Sequence, residues 1–268
     1  MSRRLLRWGV YVLIAIGFAV ACVFLSQWQF ARNEWRSGQI ALVERNYDAA
    51  PVPLDELIGA DGAFDPADEW HPVTLHGSYL VDEQLLVRNR PHGGTNAFEV
   101  LVPFQTDDGR VFVINRGWVP PGDGDSPEAV PAPPDGEATV VVRLREGEAP
   151  ASVRDAPPGQ VPTIDLAAVA EIVGGDVVSS AYGELVSEDP AAPSLGAFDS
   201  PTDDPGPHLS YAIQWILFAI MGFIFIGYVI RTEIVKHRED LEGAPTVPRT
   251  RRTRDRDAAV EDELLDAR

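Results

Sequence analysis

Two long apolar runs, one near each end of the chain, constrain the fold more than any other feature of the sequence. Residues 8–25 are 18 consecutive uncharged positions, and residues 211–230 are another 20. A helix of about 20 apolar residues crosses the hydrocarbon core of a bilayer, which is ~30 Å thick. The sequence therefore predicts a membrane protein in which two transmembrane helices enclose a separate middle domain.

Basic residues flank each run on the side nearer a chain end. These residues are Arg3, Arg4 and Arg7 before the first run, and Arg231, Lys236 and Arg238 after the second. Because cytoplasmic flanks carry an excess of lysine and arginine, both termini are predicted in the cytoplasm and the middle domain outside. The first run starts too early to leave room for a transit peptide, which favours a bacterial plasma membrane.

Cys22 is the only cysteine and permits a second interpretation of the first run. Residues 19–22, Ala-Val-Ala-Cys, resemble a lipoprotein cleavage box. Apolar residues continue to Leu25, as in a retained span, and retention is favoured over cleavage and lipidation. With one cysteine and, besides Met1, one methionine, a thiolate or methionine copper site is not expected.

Charge is distributed unevenly along the chain. The whole sequence has 22 basic and 41 acidic residues, and residues 27–208 contain ten arginines and 31 of the acidic residues. Such an acidic domain argues against nucleic acid as a partner. It also predicts an acidic partner for Arg116, which lies in the segment Asn-Arg-Gly-Trp at 115–118, where a structural role at the end of a strand is favoured.

The middle of the sequence predicts a mainly antiparallel β domain, a partial barrel or an open sheet, with one short helix. Apolar and polar residues alternate in several segments, and Asp-Asp-Gly at 107–109 is a hairpin signal. The helix is predicted at residues 163–173, capped by Thr163 or Asp165. The predicted strands are residues 70–80, 84–90, 98–106, 110–118, 138–145 and 177–186.

Two stretches rich in proline and acidic residues, 120–136 and 187–207, are predicted to be loops. The full division is a cytoplasmic N-terminus (1–7), a transmembrane helix (8–27), an extracytoplasmic β domain with Pro-rich loops (28–208), a second transmembrane helix (209–230) and a disordered cytoplasmic tail (231–268).

Common catalytic motifs are absent from the sequence. It contains no Gly-x-Ser-x-Gly elbow, phosphate-binding loop or His-Glu-x-x-His. His71 and His76 fall on opposite faces of one predicted strand and are a poor metal pair. His92 precedes two glycines in a predicted turn. We expect a protein that is not an enzyme, and a membrane-anchored hydrolase is a remote alternative.

Aromatic and basic residues gather at the predicted outer membrane boundary. Trp28 and Arg32 share one helical face after the first run, and His208, Tyr211 and Trp215 share one face at the start of the second. Such residues also form the ordinary interfacial belt of membrane proteins. Gln214 is harder to explain, because a polar side chain in lipid needs a partner.

Five sequence motifs together resemble the Surfeit locus protein 1 family. They are WQFAR (28–32), NRP followed by glycine (89–93), INRGWVP (114–120), VRLREGE (142–148) and HLSYAIQW (208–215). Their order and spacing match the family over roughly residues 22–232. The chain departs from the family pattern at Ser26 or Gln27, where glycine is usual, and at Arg36, where lysine is common.

The resemblance implies a non-enzymatic assembly factor for haem–copper cytochrome c oxidase. Its implied cofactor is haem a, and its implied partners are the catalytic subunit of the oxidase, the machinery that makes haem a and the lipid bilayer. His208 is the implied ligand of the haem iron. Tyr211 and Trp215 would flank the macrocycle, Arg32 or Arg36 would pair with a propionate, and Trp28 shares the face of Arg32.

Two questions stay open at this point. His208 is either a haem ligand or an interfacial anchor at a helix end. The protein is either a transient assembly factor or a stably bound accessory subunit of a respiratory oxidase or supercomplex.

Overall fold

The computed structural model describes residues 2–241 except residues 123, 125 and 153–155. Residues 242–268, most of the predicted disordered tail, lie outside the described residues. The elements in chain order are α1 (Ser2–Asn46), β1 (Val52–Pro53), α2 (Leu54–Leu57), β2 (Pro72–Tyr79), β3 (Leu85–His92), β4 (Thr95–Thr106), β5 (Val111–Val119), β6 (Glu137–Glu146), β7 (Gln160–Val161), α3 (Leu166–Val173), β8 (Ala181–Asp189) and α4 (His208–Leu241).

The chain divides into two units. The helical unit contains the residues up to Ala31 and those from Pro207 onward, and the β unit is Arg32–Gly206. In the helical unit α1 and α4 run antiparallel, because Ser26 contacts Ala212 at one end and Trp8 contacts Glu233 at the other. Both helices are long and apolar enough to cross a membrane.

Each long helix continues beyond its apolar run. α1 extends to Asn46, past the end of the predicted span at residue 27, and α4 extends to Leu241, past residue 230. In the β unit the end of α1 is held by Asn46, whose side-chain amide donates to the carbonyl oxygens of Ala67 and Glu69, each at 2.8 Å.

The β unit is a sheet that closes on itself. Its neighbours follow the order β1-β2-β6-β8-β5-β4-β3-β7, and a further antiparallel pairing joins β2 to β4. Strands β2, β6, β8, β5 and β4 therefore form a ring. Of the two predicted forms, partial barrel and open sheet, the structure is the partial barrel.

All six predicted strands and the predicted helix are present, with ends shifted by a few residues. Asp165 caps α3 by accepting from the backbone N–H of Ala168. The sheet is mixed: β5 and β8 pair in parallel, as do the two short edge pairs β1–β2 and β3–β7, while the longer registers are antiparallel. The structure also adds α2, a single turn, to the one helix that the sequence predicts for this domain.

Two clusters of buried side chains explain the apolar runs of β4 and β5. Val102, Phe104 and Phe112 face the cluster inside the ring. The alternate residues Leu101 and Val113 face a second cluster, which includes residues of α3. Because both faces of these strands are buried, their sequences are nearly continuous in apolar residues rather than alternating.

Candidate functional site

Small side chains line the contact between α1 and α4. Ser26 and Ala212 are buried there, and the Ser26 hydroxyl donates to the Ala212 carbonyl oxygen at 3.0 Å. Gly222 lies against the ring of Phe18, so close that a β-carbon at Gly222 would be 3.1 Å from it. Cys22, one turn before Ser26 on the same face, is buried as well. Small residues allow two helix backbones to approach closely.

His208 is the first residue of α4 and contacts α1. Its ring atom Nδ1 lies 3.0 Å from Oε1 of Gln29, one turn of each helix from the hydrogen bond between Ser26 and Ala212. The second ring nitrogen, Nε2, has no hydrogen-bond partner in the part of the chain that the structure describes. An imidazole held through Nδ1 with Nε2 available has the arrangement of a metal-ligating histidine.

The three aromatic residues predicted for the site occupy different environments. Trp215 follows His208 by two turns on the same face, is half-buried, and meets Phe218 edge to face, with ring centroids 5.7 Å apart. Tyr211 is 46% exposed and Trp28 is 60% exposed. Trp215 thus packs on its own helix and is partly covered, whereas Tyr211 and Trp28 offer exposed ring surface.

Arg32 and Arg36 belong to the β unit. The guanidinium carbon of Arg32 lies 4.6 Å from the ring centroid of Trp35, a cation–π contact. Arg36 donates to the carbonyl oxygens of Thr202 and Asp204 at 3.3 and 3.2 Å. Arg36 therefore ties the loop after β8 to α1.

A polar cluster joins residues of three sequence motifs inside the β unit. The buried carboxylate of Glu99 accepts from Asn115 Nδ2 at 2.9 Å, lies 3.1 Å from His92 Nε2, and pairs with Arg90 at 3.4 Å. Arg90 also pairs with Glu148, which accepts from the backbone N–H of Ile164 at 3.0 Å. The motifs thus connect β3, β4 and β5 with the segment that leads into α3.

Arg116 forms a second buried ion pair. Its guanidinium donates to Glu188 on β8 at 2.7 Å and to the carbonyl oxygen of Pro131 at 3.0 Å. Tyr79 on β2 donates to the same carboxylate at 2.8 Å. Burial, followed by the charge of Glu188, raises the pKa of Tyr79 far above its usual range. The sequence predicts an acidic partner for Arg116, and the structure identifies it as Glu188.

The turn after Arg116 requires glycine. Gly117 has φ +129°, and a β-carbon there would lie 2.5 Å from the carbonyl oxygen of Gly196. The indole of Trp118 stacks on the imidazole of His92, with ring centroids 5.2 Å apart. Its Nε1–H donates to the carbonyl oxygen of Ala197 at 2.9 Å. The NRGW motif therefore fastens the loop after β8 to the barrel, which is the structural role that the sequence favours.

Arg145 is a further partly buried arginine that pairs with two carboxylates. It donates to Glu184 on β8 and to Glu69. Burial raises the pKa of the Glu184 carboxyl, and the charge of Arg145 partly offsets this effect. Burial likewise raises the pKa of the nearby Tyr182 phenol far above its usual range.

The three histidines that the sequence places on a predicted strand or turn, His71, His76 and His92, lie within the β unit. His71 Nδ1 is 3.0 Å from the carbonyl oxygen of Pro72, and His76 Nδ1 is 2.9 Å from the Thr139 hydroxyl. His92 precedes a Gly93-Gly94 turn in which both glycines have positive φ. Over the described residues, no group of three or more His, Cys, Asp or Glu side chains could hold a metal ion.

Gln29 and Glu99 are site residues that sequence reasoning does not identify. Gln29 lies within the WQFAR motif, directly after Trp28. Its importance depends on a contact with His208, 179 positions away in the sequence. The signal that could have found it is the heptad-like spacing of Cys22, Ser26 and Gln29, which marks the face of α1 that meets another helix.

Comparisons with known proteins point to one family. A family model described as the SURF1 family matches residues 16–220. A SURF1-like protein of Mycobacterium tuberculosis is 35% identical over 244 residues, which cover 89% of each chain. The cytochrome oxidase assembly protein SHY1 of Saccharomyces cerevisiae is 31% identical over 121 residues, 44% of this chain and 31% of the yeast protein. A SURF1-like protein of Dictyostelium discoideum is 26% identical over 106 residues, 38% of this chain and 39% of that protein.

Proposed function

This chain belongs to the SURF1 family, and on that basis we propose that it is an assembly factor for a haem–copper cytochrome oxidase. The observation that carries the proposal is the match to this family along most of the chain. The name of the yeast relative describes that protein as acting in cytochrome oxidase assembly. The function is one of binding and delivery rather than catalysis.

The proposed location is a bacterial plasma membrane, with α1 and α4 as two spans. Their apolar side chains support this location, because Leu13, Phe24 and Ile224 are exposed to the surroundings of the helical unit. Exposed apolar surface of this extent needs lipid or another protein around it. Both chain ends lie in the cytoplasm and the β unit lies outside, as the flanking basic residues favour.

The proposed cargo is haem a, with His208 as the ligand of its iron. An imidazole nitrogen at a membrane boundary is a suitable axial donor for haem iron. Tyr211 and Trp215, on the same face of α4 as His208, are proposed to flank the macrocycle, and the exposed ring of Trp28 can contact it as well. Arg32 is proposed to pair with a propionate, because a guanidinium binds a carboxylate through charge-assisted hydrogen bonds. The chain's own task is to hold the cargo, to keep its carboxylates paired and to release it.

The proposed partners are the catalytic subunit of the oxidase and the enzymes that make haem a. The cargo passes from the second to the first, which requires the factor to bind each partner transiently. The acidic surface of the β unit would steer its encounter with a basic surface of a partner.

Deleting the gene and measuring assembled oxidase in membranes tests the assembly role. We expect a strong loss of the haem a absorption band and of oxidase activity, both restored by the parent gene. Unchanged oxidase in the deletion strain would refute the assembly role.

Affinity purification through the oxidase distinguishes a transient assembly factor from a stable accessory subunit, because an accessory subunit would remain in a one-to-one ratio with the mature enzyme.

A further inference from the structure

The contact between His208 and Gln29 favours one of the two neutral tautomers of the His208 ring. Nδ1 lies 3.0 Å from the amide oxygen Oε1 of Gln29. An amide oxygen only accepts hydrogen bonds, so in a neutral imidazole the proton lies on Nδ1 and the lone pair lies on Nε2. Gln29 thus selects the tautomer that presents Nε2.

We propose that Gln29 is a positioning residue that prepares His208 to bind the iron of a porphyrin through Nε2. This inference rests on the proposed haem function and adds a residue to the same site. Metal-ligating histidines donate their second N–H to a carbonyl, a carboxylate or water, which fixes the tautomer and the ring orientation. The side-chain carbonyl of Gln29 occupies the place of that acceptor.

The helix contact holds both members of the pair in place. Gln29 is half-buried and lies one turn after Ser26 on α1, while His208 lies one turn before Ala212 on α4. The bond from the Ser26 hydroxyl to the Ala212 carbonyl oxygen is a second, separate contact between the same faces of the two helices. Both hydrogen bonds lie in the helical unit, so residues of that unit alone orient His208.

A neutral acceptor also determines how strongly the imidazole donates electrons to a metal. A carboxylate in the place of Gln29 would pull the Nδ1 proton more strongly and make Nε2 a better donor, which favours ferric over ferrous iron. An amide leaves His208 a weaker ligand. Such a ligand suits a protein that must release its cargo.

The test uses the full chain in detergent, titrated with ferric protoporphyrin IX. The variants are Gln29→Leu, which removes the acceptor, and Gln29→Glu, which strengthens it. Ser26→Ala is the matched control, since it removes the neighbouring interhelical hydrogen bond and leaves the Gln29 contact intact. His208→Ala shows whether the porphyrin is bound at this residue.

We expect Gln29→Leu to weaken binding roughly 10- to 100-fold, the usual effect of losing the partner of a metal-ligating histidine. Gln29→Glu should lower the reduction potential of the bound iron relative to the parent, and Ser26→Ala should retain the affinity and the potential of the parent. Nitrogen-15 NMR of labelled histidine without porphyrin gives a second readout. The His208 signals, identified by their loss in His208→Ala, should show protonated Nδ1 in the parent and a mixture of tautomers in Gln29→Leu.

The outcomes separate this inference from the proposed function. If His208→Ala loses the porphyrin but Gln29→Leu binds it like the parent and keeps the tautomer, the haem function stands and the role of Gln29 is wrong. If the parent binds no porphyrin, the haem function fails, and the positioning role falls with it even when the NMR signals show the Nδ1 proton. If Ser26→Ala weakens binding as much as Gln29→Leu, the effect belongs to the helix contact, and the specific role is refuted.

Discussion

At the scale of single residues, the proposed binding of haem depends on His208. We expect His208→Ala to lose bound haem while the protein reaches the membrane in normal amounts, because a polar residue at a helix end adds little to folding. Haem retained after purification, measured by absorption against protein content, checks this. His71→Ala and His76→Ala are the matched controls, since both histidines hydrogen-bond within the β unit. Parent-like haem content in His208→Ala would make His208 an interfacial anchor.

Substitution of Arg116 is predicted to cause a large loss of stability. Its side chain is fully buried and pairs with Glu188, which is 8% exposed. Arg116→Met would leave that carboxylate buried without its cation, a loss of about 3–5 kcal/mol in the free energy of unfolding. Asp48→Asn is the control: Asp48 is 93% exposed and lies 4.0 Å from Arg143, and it should change stability by less than ~0.5 kcal/mol. Denaturant titration of the full chain, followed by the fluorescence of the β unit, measures the free energy of unfolding of both variants. Equal losses of stability in Arg116→Met and Asp48→Asn would contradict this account.

The burial of Tyr79 predicts how the free energy of unfolding changes with pH in the alkaline range. The pKa of Tyr79 is raised in the folded protein, so its contribution is fully present below its unfolded pKa of about 10 and is lost as pH rises above that value. The unfolded chain then binds one proton fewer, and stability falls by up to ~1.4 kcal/mol per pH unit. Tyr79→Phe should be less stable at neutral pH, since it loses a hydrogen bond to Glu188, yet show a shallower alkaline decline. Urea titrations between about pH 9 and pH 11 test this, and an unchanged slope would refute it.

The sequence predicts some of these residues and not their partners. An acidic domain makes an ion pair expected for Arg116, but only the fold brings β5 beside β8 and so selects Glu188 among the many acids. The same holds for Gln29 and His208, which meet because two helices far apart in the sequence adopt one register. A local pattern shows what a side chain needs and does not show which distant side chain supplies it.

At the scale of elements, the contact of α1 with α4 depends on a glycine. A β-carbon at Gly222 would lie 3.1 Å from the Phe18 ring, whereas nothing lies within 4 Å of one at Gly227. Gly222→Val should therefore force the helices apart, at about 1–3 kcal/mol, and Gly227→Val should not. The lone Cys22 is buried on the same face as Ser26 and reports the change. Its alkylation by a maleimide should be faster in Gly222→Val only, and equal rates would disprove the close contact.

Sequence patterns predict individual elements of the β unit better than their arrangement. Alternation and the Asp-Asp-Gly turn give the strands and the β4–β5 hairpin because these signals are local. The insertion of β8 between β5 and β6 is not predictable in this way, since parallel partners separated by a long connection leave no local mark. Strands β1 and β7 have two residues each and lack a periodic pattern altogether.

At the scale of the whole molecule, the central prediction concerns topology. A reporter that is active only outside the cytoplasm should be active when fused after Gly109, in the β4–β5 turn, and inactive when fused at the C-terminus. The reason is that basic residues flank both apolar runs on their terminal sides. A reporter that works only in the cytoplasm, fused at the same two positions, is the control and should give the opposite pattern. An external C-terminus would overturn the orientation on which the haem proposal depends.

The position of β8 in the ring also has a consequence during synthesis of the chain. Among the strands of the described residues β8 is synthesised last, yet it separates β5 from β6 and pairs with both. Until residue 189 has emerged, these two strands expose unpaired backbone edges, to which other nascent chains can add. The vulnerable period therefore lasts from the completion of β5 at Val119 until β8 has emerged at Asp189. Chains that stop before β8 should aggregate or be degraded rather than persist as a smaller domain.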